Sequence, residues 1–271
     1  MAHRDCTAFL QWALPQLGLR WAGYRKVQGL VCKRLAHRLR ELGLADLAQY
    51  RVRVAGDALE RERLAALCRI PISRFYRDRG VFDALRDAVL PALAARAAGR
   101  GERTLRAWSA GCASGEEPYS LAIAWRLAVA PRFPGTALAV LATDAEPELL
   151  ARAERGCYRS SSLKDLPGEW LPLAFERAGE LWCVRGGLRR GVGFARQDIR
   201  AEMPAGPFDL VLCRNLAFTY FDAPGQEETA ARLAARLAPG GFLVLGCHEK
   251  LPAAIAGRFA PGPHECIHAS A

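Results

Sequence analysis

The first third of the chain has apolar residues at helical spacing with basic residues between them. Over 24–50 the apolar positions recur three and four residues apart: Val27, Leu30, Val31, Leu35, Leu39 and Leu42. This spacing places the apolar side chains on one face of a helix. Similar patterns predict helices over 45–54, 58–68 and 81–98, and nothing before residue 99 reads as a strand. The sequence therefore predicts a small helical bundle over residues 1–98.

Beyond a glycine-containing break at 99–101, the pattern changes to short apolar runs, glycine turns and helices. It predicts strands over 104–110, 137–143, 208–213 and 241–246, with helices over 116–129, 147–155 and 226–237. Strands that alternate with helices are typical of a mostly parallel sheet with helices on both faces. The glycine-rich segment 178–196 interrupts this order and is interpreted as a small antiparallel insertion or an irregular loop. We predict a second domain, of the α/β class, over residues 99–271.

The composition is that of a folded chain without a membrane span. Of its 271 residues, 51% are hydrophobic and 24% are charged, which provides enough apolar surface for a core. No apolar run approaches the ~18 residues of a membrane helix. The N-terminus lacks the basic and apolar regions of an export signal. We expect a cytoplasmic protein without membrane insertion.

Nine cysteines are scattered singly along the chain, without a Cys-x-x-Cys pair. This spacing indicates neither a disulfide framework nor a zinc ribbon, so we expect reduced thiols. Five of them are interpreted as small core or surface residues: Cys6, Cys32, Cys68, Cys157 and Cys183. Three potential metal ligands, His264, Cys266 and His268, fall on one face of an alternating run. A closed metal site would need a fourth ligand, and we expect none.

The net charge of +10 is concentrated in the first domain. Residues 1–100 contain 19 basic and 9 acidic side chains, whereas residues 101–271 contain 19 of each. One interpretation is a well-solvated helical surface in an arginine-rich chain, since only four of the 38 basic residues are lysine. The other is electrostatic attraction of an acidic partner, either a carboxylate-rich protein surface or a nucleic acid.

A glycine turn follows the first predicted strand of the α/β domain. Gly111 and Gly115 lack a Cβ atom and allow a ligand close to the backbone. Glu116 or Glu117 can accept hydrogen bonds from a cationic or hydroxyl-bearing ligand, and Asp144, ending the next strand, is placed to hold ribose hydroxyls. A ligand with a positive centre and no phosphate fits, and S-adenosylmethionine is such a ligand. Alternatively, the glycines only form a turn and the glutamates only favour the helix dipole.

Four motifs in the same order resemble those of the CheR-type chemotaxis receptor methyltransferases. The decapeptide GCASGEEPYS at 111–120 resembles their cofactor loop, and SRFYRD at 73–78 resembles their Thr-x-Phe-Phe-Arg segment. FDLVLCRN at 208–215, followed by YFD at 220–222, resembles their Cys-Arg-Asn and Tyr-Phe-Asp strand. LAPGG at 237–241 and Gly246-x-x-Glu249 resemble their final strand.

This resemblance implies an all-α N-terminal domain and a Rossmann-like class I S-adenosylmethionine methyltransferase domain, with a small β-subdomain inserted before the Cys-Arg-Asn strand. The implied cofactor is S-adenosylmethionine and the product S-adenosylhomocysteine. Cofactor contacts are implied for Ser73, Arg77, Gly111, Glu116, Asp144, Asp198, Ile199, Arg214 and Asn215. In the family pattern Asp144 matches the ribose-binding acid. Asp198 and Ile199 match the adenine contacts. Arg214 and Asn215 match a pair beside the methionine moiety.

The family methylates a glutamate carboxylate on a chemoreceptor, which implies the same reaction here. A glutamate has an ordinary pKa of about 4.3, so at neutral pH it is ionised and needs no general base. We expect Arg77 and Tyr220 to act in catalysis by orienting this acceptor. The resemblance also implies that a glutamate-rich chemoreceptor helix docks on basic residues of the first domain: Arg25, Lys26, Lys33, Arg34, His37, Arg38 and Arg40.

Three departures from the family pattern concern the acceptor side. Pro71 stands where many members have Asn, and Cys247-His248-Glu249 replaces His-Ser-Glu. One extra residue separates Asn215 from Tyr220, which is expected to move Tyr220 by several ångströms. Two alternatives therefore stay open: methylation of a small molecule with His248 as general base, and a non-catalytic cofactor-sensing module. A nucleic-acid substrate is not expected, since no interleaving of aromatic and basic residues is visible.

Overall fold

A computed structural model describes residues 3–270, which fold into two compact units. The helical unit contains the chain up to Ile70 together with Thr219–Gly225, and the α/β unit contains Pro71–Phe218 and the chain from Gln226 onward. The sequence pattern predicts the boundary between residues 98 and 99 instead. The difference arises because the helical segment 79–99 packs its apolar side chains, such as Leu90, into the core of the α/β unit.

The helical unit is built as the apolar spacing predicts. Its helices before Ile70 are α1 (His3–Gln16), α2 (Trp21–Tyr24), α3 (Gln28–Glu41), α4 (Leu47–Gly56) and α5 (Ala58–Leu67). The apolar stripe of α3 is buried at Val31, Leu35 and Leu39. Asp46 and Asp57 cap α4 and α5, since their carboxylates accept hydrogen bonds from backbone N–H groups of the first turn. The predicted helical character of the N-terminal region is confirmed for the described residues.

The segment Thr219–Gly225 packs within the helical unit. The Arg20 backbone N–H donates to the Tyr220 carbonyl oxygen (2.9 Å), and the Asp222 N–H donates to the Gly18 carbonyl oxygen (3.0 Å). The centre of the Tyr220 ring lies 5.0 Å from that of Tyr24. Residues distant in sequence thus complete this unit.

The strands of the α/β unit follow the predicted alternation. In chain order they are β1 (Thr104–Ala110), β2 (Ala137–Asp144), β3 (Cys157–Arg159), β4 (Phe175–Ala178), β5 (Leu181–Val184), β6 (Val192–Arg196), β7 (Phe208–Leu212), β8 (Leu237–Val244), β9 (Phe259–Pro261) and β10 (Ile267–Ser270). The central sheet has the order β6-β2-β1-β7-β8-β10-β9. All pairs from β6 to β8 are parallel, whereas β10 is antiparallel to both β8 and β9.

This strand order is that of a Rossmann-like class I fold. The order runs outward from β1 in both directions, so the sheet is doubly wound and reverses between β1 and β7. Strand β7 is buried at every position, as expected for a parallel strand that is covered on both faces. The predicted mostly parallel α/β sheet is confirmed.

Nine further helices are described in the chain from Pro71 onward. They are α6 (Arg79–Ala84), α7 (Leu90–Gly99), α8 (Glu116–Ala124), α9 (Pro147–Arg155), α10 (Leu171–Ala174), α11 (Gly186–Arg189), α12 (Ala217–Tyr220), α13 (Ala223–Ala234) and α14 (Ala253–Ala256). Helix α7 packs on β1, and α8 and α9 pack on β2 and β6. None of the helices described between residues 3 and 270 combines the length and the apolar character that crossing a bilayer requires.

A small antiparallel sheet, with the order β3-β5-β4, forms the β-subdomain. The glycine pattern predicts it at about 178–196, but the structure places it within 157–184. Strand β6, inside the predicted insertion, instead pairs with β2 at the edge of the central sheet. The glycines of 178–196 give this segment the pattern of an irregular loop. Strand β6 is not apparent from the local sequence because it forms by pairing with β2, which is distant in the chain.

The cysteines and histidines correct two further expectations. Disulfides join Cys6 to Cys32 and Cys157 to Cys183, so the expectation of reduced thiols is wrong at these four positions. Each pair is 26 residues apart in sequence, and the partners meet only through folding. Strand β10 begins at Ile267, so the expected common strand face of His264, Cys266 and His268 does not form; the His264 Nδ1 atom instead accepts from the Cys266 N–H (3.2 Å).

Candidate functional site

The carboxyl ends of β1, β2 and β7 meet where the strand order reverses. In doubly wound sheets this edge is the ordinary place for a ligand. The segments that follow these strands contain most of the residues selected from the sequence, and the segment 72–78 joins them there through hydrogen bonds to Asn215 and Arg214.

The glycine loop after β1 is folded tightly. Gly111 and Gly115 have φ angles of +72° and +90°, which L side chains rarely adopt. The N–H groups of Gly111 and Cys112 both donate to the Thr143 carbonyl oxygen, at 2.8 and 3.0 Å. A Cβ atom on Gly115 would lie 2.8 Å from the Cβ atom of Ala153. The loop is therefore fastened to the end of β2 and has no room for a side chain at Gly115.

Asp144 ends β2 beside this loop. Its Oδ2 atom accepts from the Ala113 N–H and its Oδ1 atom from the Glu146 N–H, both at 2.9 Å. Two backbone donors thus orient the carboxylate. Its place at the end of the second strand agrees with the sequence-based expectation of an acid beside the glycine loop.

The two glutamates that open α8 have different surroundings. Glu116, expected at the cofactor, is 1% exposed. Both of its carboxylate oxygens lie 2.9 Å from the Ser114 hydroxyl, and Arg152 lies 3.8 Å away. Glu117 accepts from the Ser109 hydroxyl (2.8 Å) and forms an ion pair with Arg214. Glu116 therefore braces the loop from inside, whereas Glu117 belongs to a charged cluster.

Arg214 is the centre of that cluster. Its side chain is 2% exposed and forms ion pairs with Asp78 (2.8 Å) and Glu117 (3.1 Å). Its guanidinium carbon lies 5.3 Å from the centre of the Phe82 ring. Its Nε atom is buried without a hydrogen-bond partner among residues 3–270. The two carboxylates neutralise a buried charge that would otherwise be strongly unfavourable.

The segment 76–78 has an unusual backbone. Tyr76 and Asp78 have φ angles of +57° and +62°, which for residues other than glycine cost about 1–3 kcal/mol each. The Tyr76 N–H donates to the Ser120 hydroxyl (2.8 Å), and the Arg77 carbonyl accepts from Arg214 (2.9 Å). These bonds hold the segment in place.

Asn215 and Glu249 link the ends of β7 and β8. Asn215 has a φ angle of +55°. The Oε2 atom of Glu249 accepts from the N–H groups of Asn215 (2.8 Å) and Gly246 (2.7 Å). The Asn215 Oδ1 atom accepts from Arg77 (3.3 Å). The sequence motif Gly246-x-x-Glu249 includes Glu249, but only the structure shows that its carboxylate accepts hydrogen bonds from Asn215 and Gly246.

Arg77 and Ser73 lie on the segment that leads into the α/β unit. Arg77 is half-buried, and it donates to the carbonyl oxygen of Ile72 (2.8 Å) and to Asn215. Both partners are neutral, in contrast to the carboxylates that surround Arg214. Ser73, four residues earlier, is half-buried as well.

The chain after β6 passes the end of β2. The Gln197 N–H donates to the Asp144 carbonyl oxygen (3.0 Å). Ile199 is 7% exposed, and Asp198 forms an ion pair with Arg200 (3.3 Å). The Oε1 atom of Gln197 is buried and has no hydrogen-bond partner within the described chain. Sequence reasoning selected Asp198 and Ile199 but not Gln197, whose only signal is its position beside them.

The thiols of Cys112 and Cys213 lie close to this edge and are unreactive. Burial raises the pKa of the Cys112 thiol and of the Cys213 thiol well above their ordinary value. Both thiols therefore stay protonated at neutral pH and do not act as nucleophiles.

Tyr220 and His248 complete the residues selected from the sequence. Tyr220 belongs to the helical unit, at the end of α12. The extra residue before it lies in or beside this helical turn, where each residue advances the chain by about 1.5 Å rather than ~3.3 Å. The displacement is then smaller than an extended insertion would cause. His248 is exposed and precedes Glu249.

The chemistry of this edge fits a positively charged nucleoside. The Asp144 carboxylate and an unpartnered buried acceptor on Gln197 suit hydroxyl, amino and cationic groups. The glycine loop has neither a three-glycine pattern nor a lysine, which phosphate-binding loops use.

Comparison with known proteins agrees with this chemistry. Residues 72–264 match the family described as CheR methyltransferase, SAM binding domain. A chemotaxis protein methyltransferase of Listeria monocytogenes is 32% identical over 249 residues, which cover 92% of this chain and 91% of the relative. One of Escherichia coli is 34% identical over 231 residues (81% and 76%). A probable chemotaxis protein methyltransferase of Rhizobium etli is 34% identical over 230 residues (82% and 84%).

The match to the Listeria monocytogenes relative covers 92% of the chain and so extends over both units. The matched family domain begins at residue 72, one residue after the start of the α/β unit. S-adenosylmethionine is therefore the cofactor, and methyl transfer is the activity.

Proposed function

The chain belongs to the CheR methyltransferase family, and we propose that it methylates a glutamate side chain of a protein to form a γ-methyl ester. The proposed acceptor is a glutamate-rich helix of a chemoreceptor, and the proposed location is the cytoplasm. The names of the relatives support a role in chemotaxis. The charge state around Arg77 supports a carboxylate as the acceptor.

Arg77 provides the observation on which the proposal depends most. Arg214 is neutralised by Asp78 and Glu117, but Arg77 donates only to neutral oxygen atoms in the described chain. A half-buried guanidinium without a carboxylate partner attracts an anion. The glutamate side chain of the acceptor is one such anion, and the α-carboxylate of a bound methionine moiety is the other.

The chemistry of a carboxylate acceptor matches these residues. The cofactor, when bound, supplies an electrophilic methyl group on a sulfonium sulfur. A carboxylate is already ionised at neutral pH, so the protein removes no proton from it. Its task is to hold the acceptor in line, an effect of ~7–11 kcal/mol at best. We assign this orienting role to Arg77 and Tyr220.

We also propose how the site holds the cofactor. Asp144 binds the ribose beside the loop 111–115, and Gln197, Asp198 and Ile199 surround the adenine. The methionine end lies near four residues: Ser73, Arg77, Arg214 and Asn215. Glu116 acts by bracing the loop through Ser114 rather than by direct contact, because it is buried under that hydroxyl.

Five of the seven basic residues expected to dock the substrate fall into two groups; the other two are Arg25, which is exposed, and His37, whose Nδ1 atom lies 2.9 Å from Glu41. Arg34 donates to the Leu67 carbonyl oxygen (3.0 Å), and Arg38 is paired with Glu60 (2.6 Å), so these two support the helical unit. Three others are exposed and recur every seventh residue: Lys26, Lys33 and Arg40. Lys33 and Arg40, seven residues apart, lie on one face of α3, and Lys26 is exposed just before that helix. We propose this basic face as the docking surface for the acidic helix.

The test uses tritium-labelled S-adenosylmethionine and the cytoplasmic fragment of a chemoreceptor. We expect label in the protein that mild alkali releases as methanol, because esters hydrolyse and methylated amines do not. A fragment with glutamine at its methylation sites is the control and should stay unlabelled. Arg77→Ala should lower kcat/KM by about ten- to hundredfold, the size expected for a lost charged hydrogen bond. Arg74→Ala, an exposed arginine paired with Asp165, should change it less than twofold.

Other outcomes would contradict the proposal. Label in small organic products would indicate a small-molecule acceptor, and tight cofactor binding without transfer would indicate a sensing module. Tyr220→Phe, with Tyr24→Phe as the matched control, tests the second orienting residue; unchanged turnover with intact cofactor binding would remove Tyr220 from the proposal.

A further inference from the structure

Tyr158, in the middle of β3, contacts the glycine loop. Its side chain is fully buried, and its hydroxyl donates to the Ser114 carbonyl oxygen at 2.7 Å. The same hydroxyl would lie 3.0 Å from a Cβ atom on Gly115. Ser114 is 4% exposed, so its carbonyl depends on a partner within the protein.

Tyr158 also contacts the segment that contains Arg77. The rings of Tyr158 and Phe75 pack edge to face: their centres are 4.8 Å apart and their planes form an angle of 85°. Phe75 lies two residues before Arg77, and its N–H donates to the Ser162 carbonyl oxygen (2.9 Å). Tyr158 of the β-subdomain therefore contacts two segments that contain family motifs, 73–78 and 111–120.

We infer that Tyr158 is a positioning residue for methyl transfer, which holds the loop 111–115 and the segment 73–77 in the geometry that binds the cofactor. The inference rests on the proposed placement of the cofactor at this loop. It does not depend on the identity of the methyl acceptor, since it concerns only the cofactor.

The chemistry of the hydroxyl is consistent with this role. Burial raises the pKa of Tyr158 far above its ordinary value. The hydroxyl therefore stays a neutral donor over the pH range in which the enzyme can be assayed. Without it, the Ser114 carbonyl would be buried and unsatisfied, and the loop would relax.

Tyr119 is the matched control. It is 1% exposed, and its hydroxyl donates to the Ala153 carbonyl oxygen at 3.0 Å. Like Tyr158 it is a buried tyrosine that bonds a backbone carbonyl of the α/β unit, but its bond is to α9 and not to the loop. A purely structural role for both hydroxyls predicts the same behaviour of the two variants.

The experiment compares Tyr158→Phe with Tyr119→Phe, and S-adenosylhomocysteine binding is measured by calorimetry. We expect both variants to unfold at similarly reduced temperatures. Tyr158→Phe should bind S-adenosylhomocysteine about three- to tenfold more weakly, the effect of one net hydrogen bond. Tyr119→Phe should stay within twofold of the unaltered protein. The KM for S-adenosylmethionine should rise with the dissociation constant.

Equal affinities in all three proteins, or an equal loss in both variants, would overturn the inference. Asp144→Ala separates it from the placement of the cofactor: if that variant binds normally, the placement fails. If Asp144→Ala binds weakly and Tyr158→Phe binds normally, only the inference fails. Hydrogen exchange of the unaltered protein is an independent check. S-adenosylhomocysteine should protect 111–116 and 157–159 together, and unchanged exchange at 157–159 would contradict the role of Tyr158.

Discussion

Left-handed backbone at residues other than glycine is concentrated in one region of the α/β unit. In the described part of the chain these residues are Tyr76, Asp78, Ala113 and Asn215. All four lie in the segments that meet at the carboxyl ends of β1 and β7. Each costs about 1–3 kcal/mol and persists only where the surroundings hold it. The N–H groups of Tyr76, Ala113 and Asn215 donate to Ser120, Asp144 and Glu249 respectively, and Asp78 is held by its ion pair with Arg214.

Glu249 gives the sharpest prediction at this scale. Removing its side chain in Glu249→Ala leaves the N–H groups of Asn215 and Gly246 without their acceptor. Asn215 should then leave its strained conformation and cease to hold Arg77. We expect methyl transfer to fall by about tenfold or more, as for a buried hydrogen-bond network that loses its central acceptor. Turnover at saturating cofactor measures this effect.

Glu249→Gln is the conservative control. Its amide oxygen can accept from the same two N–H groups, so it should retain most of the activity lost in Glu249→Ala. If the two variants are equally impaired, the negative charge of Glu249 matters more than its position, and the role argued here is contradicted. Equal activity of Glu249→Ala and the unaltered protein would contradict it as well.

At the scale of helices and strands, the spacing of apolar residues predicts those elements that local interactions determine. The stripe of α3 and the alternation of strands and helices follow from periodicity, and both are confirmed. Strand β6 was missed because its identity as a strand depends on pairing with β2. The motifs located Arg77, Asp144 and Arg214 at one edge. Gln197 and Tyr158 could not be assigned roles, since the chain segments that they meet, the end of β2 and the loop 111–115, are far away in sequence.

One buried network joins three helices of the helical unit. Arg38 of α3 pairs with Glu60 of α5 (2.6 Å), and the Tyr50 hydroxyl of α4 donates to the same carboxylate (2.7 Å). The Arg38 guanidinium and then the Tyr50 hydroxyl hold the pKa of Glu60 below its ordinary value. Arg38 therefore has a structural role in the helical unit.

The Glu60 pKa predicts how stability depends on pH. A carboxylate with a pKa lowered by folding stabilises the protein above the unfolded pKa of about 4.3, and the stabilisation is lost as pH falls through the lower folded pKa. We expect the unfolding temperature to fall below pH ~4.3 in the unaltered protein and to fall less in Glu60→Gln.

At pH 7 the Glu60→Gln variant should be less stable by roughly 2 kcal/mol, since it leaves Arg38 partly unpaired. Glu62→Gln, at an exposed position of the same helix, is the control and should keep the acid dependence. Parallel acid profiles of Glu60→Gln and the unaltered protein would show that this network does not contribute.

At the scale of the whole molecule, the basic residues of the helical unit are of two kinds: some bind oxygen atoms of the same unit, and others are exposed. Arg34, Arg38 and Arg53 of the helical unit bind carbonyl or carboxylate oxygens of their own unit. Lys33 and Arg40 are exposed on one face of α3, and Lys26 is exposed just before it. Net charge alone would favour any polyanion, whereas an aligned row favours an extended acidic surface such as a helix with repeated glutamates.

Charge reversal on this face should therefore weaken docking specifically. In Lys33→Glu/Arg40→Glu we expect the KM for the chemoreceptor fragment to rise about tenfold or more at low ionic strength, with kcat and S-adenosylhomocysteine affinity unchanged. The effect should shrink in ~0.5 M salt, where charges are screened over a few ångströms. Arg126→Glu/Arg132→Glu makes the same change of charge at exposed positions of the α/β unit and should alter KM less than twofold. If both double variants raise KM equally, the attraction depends on net charge and the basic face has no special role.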